Sequence, residues 1–195
     1  MRRILLLVLQ LFLFASTLFA QFQNTGIPFI NNFNQKNFKT SPLNNAIVQD
    51  NRGILFFGNT YGFLEFDGNR WRLVELPNKT IVRSLAKDNK GRIYVGGQND
   101  FGYLQPDALG QMQYVSLKPF IPVKYKEFED VWKIYPTREG VYFSTSAGFY
   151  VYQNGRIQYF PAPEGLGGSL FYVQEQLYMR VPNRGIYEIK NNRAT

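Results

Sequence analysis

The sequence predicts an all-β chain, a β-propeller of four-stranded antiparallel blades. Three observations predict it. The stretch Asp50–Gly68, "DNRGILFFGNTYGFLEFDG", is rewritten at Asp88–Asp107 as "DNKGRIYVGGQNDFGYLQPD". Four such units can be laid side by side, starting at Asn45, Ile81, Phe128 and Gly168, with Gly62, Gly102, Gly148 and Gly185 aligned at spacings of 40, 46 and 37 residues. Short apolar runs alternate with turn residues, and no apolar run has the 3.6-residue spacing that a helical repeat of this length needs.

The elements of the first unit follow in order. "NAIVQD" is a short apolar strand. "DNRG" is a tight turn, because Asp50 can accept from its own backbone and Gly53 can take a positive φ. "ILFFGN" is a second strand, apolar on both parities, as suits a sheet covered on both faces. "NTYG" turns the chain back at Gly62. "FLEFDG" is a third strand ended by the Asp67-Gly68 hairpin signal. "RWRLVEL" alternates like a half-solvated outer strand, and Trp71 reads as its packing residue. The second and third units repeat this plan. The fourth runs from Gly168 to "NNRAT" with Gln176 in a glycine position and no clear outer strand. The Tyr and Phe stripes, Phe56, Tyr94 and Tyr142 among them, read as blade-to-blade core. The glycines read as turn residues and not as a phosphate cradle, because they follow strands and open no helix.

The chain has 195 residues, enough for a domain with a real core, and 17% of them are aromatic. It contains no cysteine and no histidine. Disulfides, thiol nucleophiles, Cys/His zinc sites and histidine bases are therefore excluded. No metal and no cofactor is expected. The net charge of +8 is scattered, with no dense basic run, so a solvated basic surface is expected and no nucleic-acid contact.

The start, "MRRILLLVLQLFLFASTLFAQ", has two arginines, an apolar run and small residues near Ala20. It reads as a secretory signal over residues 1–20, with an uncleaved anchor as the competing reading. Residues 21–44 form an N-terminal segment. Its alternation at Pro28–Phe33 suggests a strand given to the last blade, which would close the ring. Residues 45–195 hold the blades. Four blades make either a very small ring or part of a longer one.

The pattern carried by Asp50, Gly53, Thr60, Gly62, Asp67 and Gly68 resembles the two-component regulator propeller repeat. "VRSLAKDNKGRIYVGGQNDFGYL" and "EDVWKIYPTREGVYFSTSAG" fit the same group. The resemblance implies the N-terminal part of a seven-bladed periplasmic sensor, attached in full length to the inner membrane. It implies later domains outside these residues: an immunoglobulin-like domain, a membrane helix, and a kinase or LuxR-type output through which the protein could dimerise. Part of that group detects saccharide fragments.

On a repeated scaffold the variable loops are where binding resides. Those loops point to Tyr61, Gln98, Asn99, Asp100, Asn183 and Arg184, with Arg83 and Trp132 near the channel mouth. Amides, a carboxylate and flat rings suit an oligosaccharide or a peptide. No catalytic residue is expected. Glu127, Glu129 and Asp130 read as a solvated loop with Asp130 opening a strand, more readily than as a glycosidase pair. Asn78 would be a glycosylation acceptor only in a eukaryotic secretory pathway. Two functions stand open: a non-catalytic extracytoplasmic sensory segment, and an envelope protein-interaction propeller with no small ligand; a third, an exported lyase or hydrolase, lacks a histidine and would need a carboxylate, Tyr or Arg mechanism.

Overall fold

Every unit of the repeat folds into its own antiparallel meander in a computed structural model of the chain. The structure describes residue 26, residues 30–163 and residues 167–195. The signal at residues 1–20 lies outside them. The chain divides into a unit Met1–Asn32, which is almost wholly outside the described residues, and a unit Phe33–Thr195.

The first blade is β1 (Asn44–Gln49), β2 (Leu55–Asn59), β3 (Gly62–Phe66) and β4 (Trp71–Val74). The second is β5 (Val82–Lys87), β6 (Ile93–Gly97), β7 (Phe101–Pro106) and β8 (Met112–Ser116). The third is β9 (Lys133–Pro136), β10 (Val141–Ser144), β11 (Gly148–Gln153) and β12 (Arg156–Pro161). The fourth is β13 (Ser169–Val173), β14 (Gln176–Val181), β15 (Gly185–Lys190) and β16 (Arg193–Ala194). Each sheet pairs its strands in chain order. The outer strand missing from the sequence reading of the fourth unit is present as the two-residue β16, paired through Ile189–Ala194 and Lys190–Arg193.

The turns form as their residues dictate. Asp50 Oδ1 accepts from the Arg52 and Ile54 amides at 2.8 and 3.0 Å. Asp88 Oδ1 does the same for Lys90 and Arg92, both at 2.9 Å, and Asp107 for Leu109 and Gln111 at 2.8 and 2.9 Å. In the third blade Thr137 Oγ1 takes the role, accepting from Glu139 and Gly140. In the fourth, Gln174 and Glu175 both carry positive φ, a two-residue turn without the aspartate.

The core lies in three slabs between blades. Phe56, Phe63, Val82, Ile93, Val95 and Leu104 fill the first. Tyr94, Phe101, Val131, Phe143, Tyr150 and Ile157 fill the second, where Phe101 stacks on Phe143 at 4.2 Å between ring centroids. Tyr142, Phe149, Leu170, Met179 and Val181 fill the third. The first strands run side by side, β1 against β5 and β5 against β9. This is the edge that faces the axis of a propeller.

One alignment is corrected. Gly62 and Gly148 open their third strands with positive φ. The position matching Gly148 in the second blade is Asp100, because the Gly97 amide donates to the Asp100 carbonyl as Thr145 donates to that of Gly148. The left-handed residue there is Asn99. Gly102 lies inside β7, where a Cβ would meet the Val115 carbonyl oxygen at 2.0 Å. Its role is close approach of β7 to β8 and not the turn.

The strand expected at Pro28–Phe33 falls partly outside the described residues, and residues 30–34 take no strand. A four-residue helix, α1 (Gln35–Phe38), follows, with Asn34 as its N-cap. Phe33 and Phe38 meet Trp71 at 5.4 and 5.5 Å, and Phe33 meets Phe66 at 5.0 Å. Asn59 fixes the continuation, donating to the Ser41 and Leu43 carbonyls and accepting from Thr40 Oγ1. The segment thus covers part of the free face of the first blade.

Two outcomes follow. Asp88→Ala removes the acceptor of two backbone amides and should cost about 1–2 kcal/mol in urea unfolding, with Asp88→Asn costing less than half of that. At Gly96 a Cβ would lie 2.4 Å from Ser84 Oγ and 2.6 Å from Val131 Cγ1. Gly96→Ala should therefore cost about 1–3 kcal/mol and alter the emission of Trp132, the neighbour of Val131.

Candidate functional site

The segment entering the third blade is held against the end of β6. The Asn99 amide donates to the Glu129 carbonyl at 3.0 Å, Gln98 bridges to Asp130, and the Val131 amide donates to the Gly97 carbonyl at 2.9 Å. Ser84 Oγ donates to the Val131 carbonyl at 2.7 Å. The close approach at Gly96 leaves room for this. Asp130 and Trp132 are thereby brought over β5, beside Arg83.

Arg83 Nε lies 3.2 Å from Asp130 Oδ1, an ion-pair distance without hydrogen-bond alignment. The Arg83 guanidinium also sits over the Trp132 ring, 5.1 Å from its centroid. Such a contact contributes about 0.5–1 kcal/mol where solvent reaches it. Trp132 is 46% exposed, its Nε1–H donates to Ser146 Oγ at 3.2 Å, and its backbone amide donates to the Ser144 carbonyl. A cleft of about 290 Å³ opens beside it, bounded by Lys133, Ser144, Ser146, Ser169 and Phe171. Arg83 and Trp132 thus meet at one rim, and Gln98 reaches it through its backbone bridge to Asp130. Asp130 belongs with them: it pairs with Arg83 and forms an isolated bridge, and it does not open β9.

The other residues are placed differently. Tyr61 is 54% exposed in the β2–β3 turn. Asn183 and Arg184 form the β14–β15 turn, where the Arg184 amide donates to the Val181 carbonyl. Asn99 spends its side chain on the crossover that precedes the third blade. Its Nδ2 donates to Glu127 Oε2 at 2.8 Å and its Oδ1 accepts from the Phe128 amide at 3.2 Å. Asp100 is only 4% exposed and accepts from Ser116 Oγ at 2.7 Å. Burial pushes its carboxyl above the usual range. The neighbouring Tyr114 hydroxyl is pushed up too, by burial first and then by the Asp100 charge.

A second cleft, of about 540 Å³, was not legible in the sequence. Tyr125, Phe128, Tyr150 and Tyr159 line it, with Glu127 and Glu129. Tyr125 and Tyr159 meet at 4.7 Å, and the Tyr150 hydroxyl donates to the Tyr125 carbonyl at 2.6 Å. Glu127 also lies 3.5 Å from Lys118 Nζ. Hydrogen bonding from Asn99 and the nearby Lys118 charge hold its carboxyl below the usual range. Among the described residues no cluster of three metal-binding side chains occurs, and no helix is long and apolar enough to cross a membrane.

Residues 75–99 match the family model "Two component regulator propeller". No curated protein matches the chain significantly. Among solved structures it is similar to a chain from B. thetaiotaomicron described as the extracellular domain of a one component system, at 21% identity and a TM-score of 0.58, over 76% of this chain and 21% of that one. It thus spans about a fifth of that relative's length. It is also similar to virginiamycin B lyase from Staphylococcus aureus, at 14% identity and a TM-score of 0.56, over 76% of this chain and 53% of the lyase. A third likeness is to the WD40 propeller domain of Doa1, at 12% identity and a TM-score of 0.56, over 77% and 52%. These likenesses show the propeller fold, and residues 75–99 carry the two-component regulator propeller repeat.

The Asp100 carboxyl gives a pH test. Its folded pKa is raised above the ordinary 3.8, so the folded state keeps that proton to higher pH than the unfolded state does. The group therefore costs stability as pH rises from 3.8 through the raised value. Asp100→Asn keeps an acceptor for Ser116 and removes the titration. Urea unfolding from about pH 3 to pH 7 should show the variant gaining on the parent chain across that window.

Proposed function

We propose that this two-component regulator propeller is the ligand-binding segment of an extracytoplasmic sensor, exported to the periplasm and without catalysis of its own. The observation that carries the reading is the rim itself. Arg83, within the repeat at residues 75–99, meets Asp130 and Trp132 where the third blade is pinned to the second through the Gln98–Asp130 bridge. Flat rings and amide or hydroxyl groups on a fixed scaffold suit a saccharide fragment. Binding there would act on the packing of one blade against the next. It signals only if the ligand prefers one packing over another. Domains further along a longer receptor would receive that shift, and no nucleic-acid contact belongs to this segment.

A non-catalytic segment agrees with the state of its acidic groups. Asp130 is paired with Arg83, and Glu127 is held by Asn99 and lies beside Lys118. The lyase with the similar fold has a catalytically inactive histidine-to-alanine variant, and this sequence has no histidine. The exposed Trp132 and its cleft favour a small ligand over the second reading, a propeller that only docks other envelope proteins.

Thermal melting of the purified chain against neutral and acidic oligosaccharides and short peptides tests this. At least one compound at a hundred times its Kd should stabilise the chain by roughly 2.7 kcal/mol, and Trp132→Ala should abolish the effect. A melting temperature that ignores the whole panel would overturn the small-ligand reading and leave the docking module.

A further inference from the structure

We infer that the cleft beside Trp132 takes a ring-bearing organic carboxylate, which makes the sensed ligand acidic and not neutral. The inference rests on the ligand-binding reading above and adds the chemical class. Three features of the cleft carry it. The first is the direction of its hydrogen bonds. Ser144 Oγ accepts from the Leu170 amide at 3.3 Å, and Ser146 Oγ accepts from Trp132 Nε1 at 3.2 Å. Each hydroxyl has thus used an acceptor position and keeps its own proton to donate. Among the described residues neither proton has an acceptor, and the Ser169 hydroxyl, also in the lining, has none either. Three hydroxyl protons without an acceptor suit a ligand that brings acceptors; each hydroxyl also keeps a lone pair, so the choice of an acid over a neutral ligand rests on charge.

The second feature is charge. Lys133 lines the cleft, is exposed, and has no acidic partner among the described residues. Among the described residues no carboxylate lines it. Arg83, on the Trp132 ring, has its charge balanced by Asp130, whereas Lys133 is a cation of the cleft lining with no acidic partner among the described residues. A carboxylate there gains charge-assisted hydrogen bonds from the ammonium and the hydroxyls together. The third feature is ring surface. Trp132 and Phe171 are each 46% exposed at the border of the cleft. They offer apolar area to a pyranose or an aromatic ring. Acidic sugars and aromatic carboxylates share this chemistry, and the test separates them.

The sequence has two tryptophans, Trp71 and Trp132. Trp71→Phe keeps a ring among Phe33, Phe38, Phe57 and Phe66 and leaves Trp132 as the one indole reporter. Should that variant fail to fold, 5-fluorotryptophan in the unaltered chain resolves the two indoles by fluorine NMR. Glucuronate, glucose, benzoate and sodium chloride are titrated at matched ionic strength. Saturable change at Trp132 with glucuronate or benzoate, at least roughly tenfold tighter than with glucose, is the expected result. The tighter of the two carboxylates identifies the ring. Lys133→Gln should weaken the carboxylate by roughly two- to fivefold, the range of an exposed ion pair, and leave glucose unchanged. Glucose binding as tightly as glucuronate would overturn the acidic class and leave the sensor reading intact. So would a ligand that raises the melting temperature while Trp132 stays silent. A response that chloride reproduces would reduce the effect to screening and overturn the inference as well.

Discussion

A four-stranded sheet with apolar residues on both faces cannot stand in water alone. β2 and β3 carry Phe56 and Phe63 on one face and Phe57, Leu64 and Phe66 on the other, and only a second layer on each side removes both sets from solvent. Everything else in the fold answers this requirement. The first face is met by Val82, Ile93, Val95 and Leu104 of the next blade. The second is met in part by Phe33, Phe38 and the Thr40–Asn59 contact. Burial between sheets thus does the work that disulfides do in small exported domains, in a chain with no cysteine.

The same requirement positions the rim. Blades that press face to face must bring their inner strands close, and Gly96 with no Cβ lets Val131 and Ser84 approach. Once Val131 is seated, its neighbours have little freedom. Asp130 is fixed by the bridge to Gln98 and Trp132 by the Ser144 carbonyl. The contact of Arg83 with both is therefore a consequence of core packing one residue away.

The strands were legible in the sequence because their limits are written in turn chemistry. Asp50, Asp88 and Asp107 each cap two backbone amides, and a reader who knows that geometry can place the strands on either side. Gly102 misled because the second blade makes its β6–β7 turn with Asn99 in the left-handed region, and the nearest glycine is there for a different reason. Arg83 and Trp132 could be grouped from their places near the inner strands. Asp100 could not, because its burial comes from Ser116 and Tyr114 near the outer edge of the same blade, a tertiary fact. The crossover at residues 118–130 is longer than the segment between the first and second blades and carries two 3-10 turns. Its tyrosine-lined cleft depends on a path that no repeat could reveal.

That crossover also explains why the left-handed residue of the β6–β7 turn is an asparagine, Asn99, and not a glycine. A glycine would serve the positive φ equally well. It could not hold Glu127 with its amide nitrogen and the Phe128 amide with its oxygen. The long crossover needs such a clasp, since two single-turn 3-10 segments at Lys118–Phe120 and Val123–Tyr125 are its only regular structure among the described residues. The clasp sets Phe128 between Phe101 and Tyr150 and leads the chain into Asp130 and Trp132. The left-handed residue of that turn is thus also the one that ties the irregular crossover to the rim.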